Sequence, residues 1–524
     1  MNSNYKLVFA IVLHLLTQCY CSIGSSIKPD DLTINDRYDA LIACLVKNGI
    51  RDGKLYPRND GPEYEELNYQ WNTVWGHMAP LLYLKAKSTR DVQVGVICAT
   101  KTEIRCVPRS GGHSYAKNSF GDENSLVIDL SSLNFFKVKK KKMIADVGPG
   151  VLNSQAMYDG WKEGCLVSHG ICPSVGFGGL LQGGGYGHFS RLLGMAADSV
   201  IGMEMVDASG RLNVVNNFTN TDLFWALRGG GGGNFGIVTK FTIKVYPSPR
   251  SIIFGAYEYS FAKDFRQVFI AWQKLVYSDP YLSQRIFCMI EMELDRISMR
   301  FYGINTGNDP DMTEKYFDEL YKYMGFPEPG PGSSLKTYTH EQFIIREAQM
   351  YSDTPLTDIA QVGKMTRHNK VYNKKVKSYF VDKILNEQEI DKLIELLTAY
   401  LPYAGLYWEY NGGKVTENPG TCFLHRLKAS YSTQLKPLNS SGKLKDVNGD
   451  AAKIRFFEAT KQLLNHRTSY QNYIDRDMPD YLQRFYGPAL WKLYRIKAKW
   501  DPTNVFFSCE SIPVFPGQRR ICNV

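Results

Sequence analysis

Apolar and polar positions change rhythm several times along this chain. Asp36–Lys47 (DRYDALIACLVK) repeats its apolar residues every three to four positions, which predicts a helix. Val92–Ala99 reads as a second helix and Glu103–Pro108 as the strand after it. Ser125–Leu130 (SLVIDL) is a short apolar run of strand length. Phe135, Phe136 and Val138 precede Lys139–Lys142 (KKKK), and Met143, Ile144 and Val147 follow it, which predicts a hairpin with a solvated tip. Gly148–Gly150 (GPG) is a turn. Asp198–Val215 reads as strand, turn at Ser209-Gly210, strand, and Ile237–Val245 (IVTKFTIKV) alternates with a period of two. Pro247 and Pro249 then break the pattern.

From about Ser251 glycine thins and aromatic residues rise, as in Phe254, Tyr257, Tyr259, Phe261, Phe265, Phe269 and Trp272. Strand-like runs (Ile286–Glu293, Ile297–Ile304, Gly405–Tyr410) alternate with helical ones (Phe261–Val276, Asn386–Tyr400), and Pro327–Ser333 is a loop. This predicts a second α+β domain with an antiparallel sheet. The tail from Tyr470 is rich in aromatics and arginine and is expected to pack back on the first domain. There is no internal repeat.

Composition adds little to this picture and the ends of the chain add more. With 524 residues, 44% hydrophobic and 22% charged, the chain has room for two or three domains. The net charge of +10 comes with no basic helix and no nucleic-acid module, so nucleic acid is not an expected partner. Lys6 followed by the apolar run Leu7–Leu16 and small or polar residues at Cys19–Ser26 reads as a secretory signal peptide over residues 1–22. The run is shorter than the ~20 residues a helix needs to span a bilayer. A secreted, extracellular protein with no membrane partner is therefore expected. Of 11 cysteines, Cys19 and Cys21 leave with the signal. With Cys172 set aside, an even set remains (Cys44, Cys98, Cys106, Cys165, Cys288, Cys422, Cys509 and Cys522), which permits disulfides of undetermined connectivity. Asn217 (NFT) and Asn439 (NSS) match the glycosylation pattern.

The candidate chemistry lies in Arg109–Tyr115 (RSGGHSY) and Cys172–Gly187 (CPSVGFGGLLQGGGYG). Each sets one residue able to bond an electrophilic ring, His113 or Cys172, in glycine-rich backbone that can pass close to a flat or anionic ligand. Arg228–Gly236 (RGGGGGNFG) adds five consecutive glycines whose amides can cradle a pyrophosphate. It is not a nucleotide-binding GxGxxG, because a β pattern follows it. No CxxC or HxxxH spacing near these residues points to a metal. A cysteine-protease reading would pair Cys172 with His169, and the surroundings do not support it.

Five segments in order, RSGGHSYAKNSFG, SLVIDLSSL, HGICPSVGFGGLLQGGGYG, MAADSVIGMEMVDASGRL and DLFWALRGGGGGNFGIV, resemble the flavin domain of the berberine bridge enzyme-like family. SYQNYIDRD and KAKWDPTNVFFSCESIP resemble its tail. The resemblance runs from about Tyr38 to Pro513. It implies a two-subdomain, PCMH-type FAD-binding domain of the vanillyl-alcohol-oxidase fold group. An α/β substrate domain with an antiparallel sheet follows, and the tail returns to the flavin domain. The expected division is a signal at 1–22, a helical part at 23–74, the FAD domain at 75–248, the substrate domain at 249–465 and the tail at 466–524.

The resemblance further implies covalent FAD, with His113 bonded to the 8α carbon and Cys172 to the C6 carbon of the flavin ring. Arg109, Ser110, Gly111, Gly112 and Ser114 would wrap the diphosphate. Pro173, Ser174, Gly178, Gly179, Gly183, Gly184, Gly236, Ile237, Val238 and Asn472 would line the rest. Cys44 and Cys98 match the family's disulfide pair, and Cys509, standing where a charged residue is usual, is a candidate partner for Cys522. Val175, where a bulkier residue goes with poor oxygen reactivity, implies an oxidase that makes hydrogen peroxide. Tyr473 matches the catalytic tyrosine, a base whose phenol needs a lowered pKa. Tyr115 and Gln434 match substrate-side residues. Glu409 reads either as a second carboxylate base or as a surface charge on a strand, and Ser432 stands where plant members carry an acid or a lysine. The loop before His425-Arg426 is shorter than in plant relatives. The implied substrate is an alcohol group of a sugar, or a phenolic or alkaloid-like metabolite, handled by a monomer with oxygen as acceptor. A dehydrogenase with another acceptor, and a secreted binding or defence protein without turnover, stay open as alternatives.

Overall fold

The computed structural model describes residues 33–51, 53–59, 61–277, 284–307, 312–365, 374–417, 420–437 and 447–517. The expected signal peptide, Asn439 and Cys522 lie outside them.

The N-terminal half is two small sheets with a helix between them. One sheet runs in the order Leu55–Pro57, Leu82–Lys85, Ser125–Asp129, Arg105–Arg109, parallel except for its first pair. The other is antiparallel, in the order Phe136–Lys139, Ile144–Val147, Ile237–Lys244, Val200–Val206, Leu212–Asn216. Helix Thr89–Lys101 touches both sheets and buries Val92, Val94, Val96, Cys98 and Ala99. It begins three residues before the expected apolar run, because the Ser88 hydroxyl accepts from Asp91 N–H and caps it. Helix Ile34–Lys47 starts early for the same reason, with a reciprocal Thr33–Asp36 capping box. A Cys44–Cys98 disulfide joins these two helices. The four lysines form the short turn of the 136–147 hairpin, with Lys139 paired to Asp146 at 2.6 Å.

The other members of the even cysteine set divide between free thiols and a disulfide. Cys106, Cys165, Cys288 and Cys422 are free and buried. Cys509 is disulfide-bonded.

The seven-stranded antiparallel sheet begins at Ser251. Its order is Ser334–Tyr338, Ser251–Ser260, Arg296–Asn305, Ile286–Glu293, Ala404–Tyr410, Tyr431–Pro437, Lys377–Val381. Its two faces differ in chemistry. Leu406, Trp408 and Tyr410 face the helix side, where Trp408 lies 5.3 Å from the Phe269 ring, centroid to centroid. Helices Phe261–Tyr277, Glu387–Tyr400 and Val447–Leu463 cover this face. The alternate residues Tyr407 and Glu409, paired in register with Gln434 and Ser432, project the other way, toward the N-terminal half.

The tail closes the molecule. Phe506 is buried in the core of the first sheet, Lys497 donates to Asn234 O at 2.7 Å, and Arg105 donates to Phe507 O at 2.8 Å. No helix among the described residues is long and apolar enough to cross a membrane.

Candidate active site

A long cleft runs between the two N-terminal sheets and the tail, with the polar face of the large sheet behind its wall. Its walls are the backbones of Ser110–Ser114, Val175–Gly179 and Gly231–Gly233, with Gly236, Ile237 and Val238. The first two segments pass backbone to backbone. A Cβ on Gly111 would lie 2.5 Å from Gly176 N, and one on Gly176 would lie 2.4 Å from Gly111 N. Ser110 pins them, its hydroxyl donating to Pro149 O at 2.6 Å and accepting from Gly178 N–H at 3.2 Å.

Several expected cleft residues have other work. Arg109 turns away from the cleft; its guanidinium is buried against Asp129 at 2.8 Å, beneath Gly112 and Phe120. It braces the turn that presents His113. Pro173 and Ser174 are buried, and the Ser174 hydroxyl lies 2.8 Å from His113 Nε2. Gly183 and Gly184 are packed under the tail, against Asn472 and Tyr470. Within the five-glycine run, Gly229 and Gly231 donate to Gln182 O and Gly230 to Ala226 O, so these amides are spent inside the protein; Gly232 and Gly233 form the wall.

His113, Cys172, Tyr115 and Tyr473 line the same cleft. His113 packs on Trp71, ring centroids 5.2 Å apart, and Trp71 donates to Gly112 O. The Cys172 carbonyl accepts from Asn153 Nδ2 at 2.8 Å, and its Sγ lies 3.5 Å from the Tyr351 hydroxyl. Tyr473 and Tyr115 meet edge to face at 6.3 Å. One hydrogen bond behind each stands a residue of the large sheet. Tyr473 donates to Glu409 at 3.2 Å, and Gln434 donates to Tyr115 at 3.1 Å. Ser432 donates to the other Glu409 oxygen at 2.8 Å.

Glu409 is 4% exposed, so the surface-charge reading fails. Burial pushes its carboxyl up to about 7, against the two hydroxyl donors, Ser432 first, that favour the charged form. The protein's own groups act on Tyr473 in the direction opposite to the lowering a phenolic base needs. Burial, and then the Glu409 carboxylate, hold the phenol well above its ordinary range. The sequence reading missed Tyr351, Asn153 and Trp71. Each is an ordinary residue far along the chain from the partner it serves, and no local pattern marks it.

The family profile described as an FAD binding domain matches residues 80–216, and one described as berberine and berberine-like matches residues 469–513. These matches, with the relatives that follow, support a berberine bridge enzyme-like family of FAD-linked oxidoreductases. Berberine bridge enzyme-like 12 of Arabidopsis thaliana is 28% identical over 474 residues, 84% of this chain and 86% of that protein. The uncharacterized FAD-linked oxidoreductase YvdP of Bacillus subtilis is 26% identical over 484 residues, 88% of this chain and 98% of that protein. The structure of Physcomitrella patens BBE-like 1 superposes with a TM-score of 0.79 at 27% identity, covering 91% of this chain and 99% of that one. This berberine bridge enzyme-like protein is an FAD-binding α+β oxidoreductase of the PCMH type. The cleft fits that cofactor. Its walls are largely glycine backbone, where a Cβ on Gly111, Gly176 or Gly178 would crowd a neighbour, and no lysine or arginine lines it, so a diphosphate would be met by amides and hydroxyls.

Proposed function

We propose that this protein is a secreted oxidase with FAD tied to both His113 and Cys172. It oxidises an alcohol group of a carbohydrate or of a phenolic or alkaloid-like metabolite and returns the electrons to dioxygen. The observation that carries the reading is the hydrogen bond from Tyr473, on the cleft wall with His113 and Cys172, to the buried carboxyl of Glu409. Bound there, FAD supplies the hydride acceptor.

The protein's own residues handle the proton. A substrate hydroxyl placed against the Tyr473 hydroxyl passes its proton there while Tyr473 passes its own to Glu409. The proton ends on a group whose pKa is about 7, and the phenol never holds a full negative charge. The raised phenol pKa is then no obstacle. Ser432 holds the carboxylate in place, and Gln434 orients Tyr115 on the opposite side. Ser110, Gly111, Gly112, Ser114, Gly178, Gly179, Gly236, Ile237, Val238 and Asn472 would hold the cofactor along the wall, and Val175 would leave room for dioxygen at the ring. The segment 249–465 would serve as the substrate domain and 466–524 as the returning tail. Asn217, on an exposed bend beside the 95% exposed Phe218, would carry a glycan in a secretory compartment.

The test is a panel of sugars and phenolic alcohols mixed with purified protein without oxygen, followed by admission of air. Bleaching of the yellow absorbance by one member, then its return with stoichiometric peroxide, is expected. Bleaching that air does not reverse would make the protein a dehydrogenase for another acceptor. Mass spectrometry of tryptic peptides should find flavin on the peptides of His113 and Cys172.

A further inference from the structure

We propose that Tyr351 is a positioning residue for Cys172, holding its sulfur as the nucleophile that forms the second bond to the flavin ring. The inference rests on the two-tether reading above.

Three stretches distant in sequence converge on this one sulfur. Its backbone is fixed first, because Cys172 O accepts from Asn153 Nδ2 at 2.8 Å and from Val175 N–H at 3.3 Å. Tyr351 follows helix His340–Gln349, and its N–H donates to Ala348 O at 3.0 Å, so the helix end carries the phenol to 3.5 Å from Sγ. Lys374 is clamped by Asn72, its N–H donating to Asn72 Oδ1 at 2.9 Å and its carbonyl accepting from Asn72 Nδ2 at 3.0 Å. Its ammonium acts electrostatically on the sulfur.

Burial alone pushes the Cys172 thiol above its ordinary value and would leave it a poor nucleophile at neutral pH. The groups facing the sulfur divide by sign. The Tyr351 hydroxyl and the Lys374 ammonium favour the thiolate, the Glu409 carboxylate opposes it, and the Tyr115 and Tyr473 phenols also face it. In the thiol form the sulfur donates to the Tyr351 oxygen. Once the proton leaves to water, the phenol hydrogen turns to the sulfur as a charge-assisted bond.

The chemistry balances as follows. The thiolate pair forms a sulfur–carbon bond at C6 of the ring, the C6 hydrogen leaves as a proton, and the ring takes up two electrons. Dioxygen, the acceptor already invoked, removes those electrons with two protons as one hydrogen peroxide. Net, a thiol S–H and a ring C–H are exchanged for one carbon–sulfur bond.

The experiment follows bond formation itself. Full-length wild-type, Tyr351→Phe and Lys374→Gln proteins are produced and isolated with FAD in the absence of oxygen, then exposed to air at pH values from 6.5 to 10. Flavin on the His113 and Cys172 peptides is quantified over time by mass spectrometry. In Tyr351→Phe the His113 bond should form at the wild-type rate while the Cys172 bond forms about three- to tenfold more slowly at pH 7. That range allows for the nucleophilicity lost as a thiol becomes more acidic. The gap should narrow toward pH 10, as the wild-type thiol approaches full ionisation while the unaided thiol, which burial holds higher, keeps gaining thiolate. Lys374→Gln should move the same way; Tyr351→His, which keeps a donor, should recover the rate and carries the test should Tyr351→Phe bind no flavin. Equal Cys172 rates at pH 7, or a gap that pH does not change, would overturn the inference. Wild-type protein with flavin on His113 alone would instead overturn the two-tether reading on which it rests.

Discussion

A carboxyl buried among aromatic rings keeps its proton until something donates to the ionised form, and at Glu409 that balance falls at about 7. Substrate oxidation should therefore rise with pH through about 7 and level off above it, as the fraction of Glu409 able to accept a proton grows. Ser432→Ala removes one donor to the carboxylate and should move this acid limb to higher pH, measured as anaerobic flavin bleaching by substrate across a pH series. Tyr473→Phe breaks the proton path itself and should slow bleaching at every pH in the series. Glu409→Gln should slow bleaching by roughly 10²–10⁴-fold with bound flavin unchanged; a loss under threefold would remove Glu409 from the mechanism. The sequence exposed some of these residues and hid others for physical reasons. His113 and Cys172 stand out because each sits in a glycine-rich run, a pattern that is local in the sequence. Glu409 was ambiguous because a strand shows its alternation but not which face is wet. The role of the Arg109 side chain left no local sign, because its charge is used beneath the motif, where the partner, Asp129, lies twenty residues away. Tyr351 left no trace, since an aromatic after a helix looks like any core residue.

At the scale of elements, the cleft exists because two chain segments approach without side chains between them. Gly111→Ala should force the Ser110–Ser114 and Val175–Gly179 backbones apart. Overpacking of this kind costs about 1–3 kcal/mol, and here it falls on the wall that holds the cofactor. The expected result is a lower melting temperature together with a lower flavin-to-protein absorbance ratio. Gly202→Ala, in strand Val200–Val206 and outside the cleft lining, meets nothing closer than 3.8 Å and is the control that should keep both. Most strands near this wall were readable, since runs such as Ser125–Asp129 and Ile237–Lys244 have the length and β-branched content of buried strands. Helix Phe177–Gly183 was not, because three of its seven residues are glycine and its existence depends on packing rather than propensity. The division of the large sheet into an apolar and a polar face was legible only in part. Strand Ala404–Tyr410 is buried on both sides, and long-range pairing, not local alternation, brings Gln434 beside Tyr407 and Ser432 beside Glu409.

Across the whole molecule, groups that titrate between pH 4.5 and 7 pull in opposite directions. His169, His188, His340 and His466 are buried and held by burial below their ordinary value. The unfolded chain takes protons at these sites below about 6.5 while the folded chain does not, so each contributes stability that is present above 6.5 and lost as the pH falls. Glu409 and Glu347 are both raised to about 7, so the folded chain is the one that holds these protons, and their contribution runs the other way. His425 is lowered by burial in the same way, so the histidines outnumber the raised glutamates, the unfolded state binds more protons across this window, and stability rises with pH. The melting temperature should be highest near pH 7 and fall steeply toward pH 5. Glu347→Gln discriminates this account from a general sensitivity to acid. It removes a group that gains stability as the pH drops, so the variant should lose stability faster than wild type between pH 7 and 5. His466→Gln should lose it more slowly. Parallel melting curves for all three proteins would mean that these buried groups do not set the acid limit.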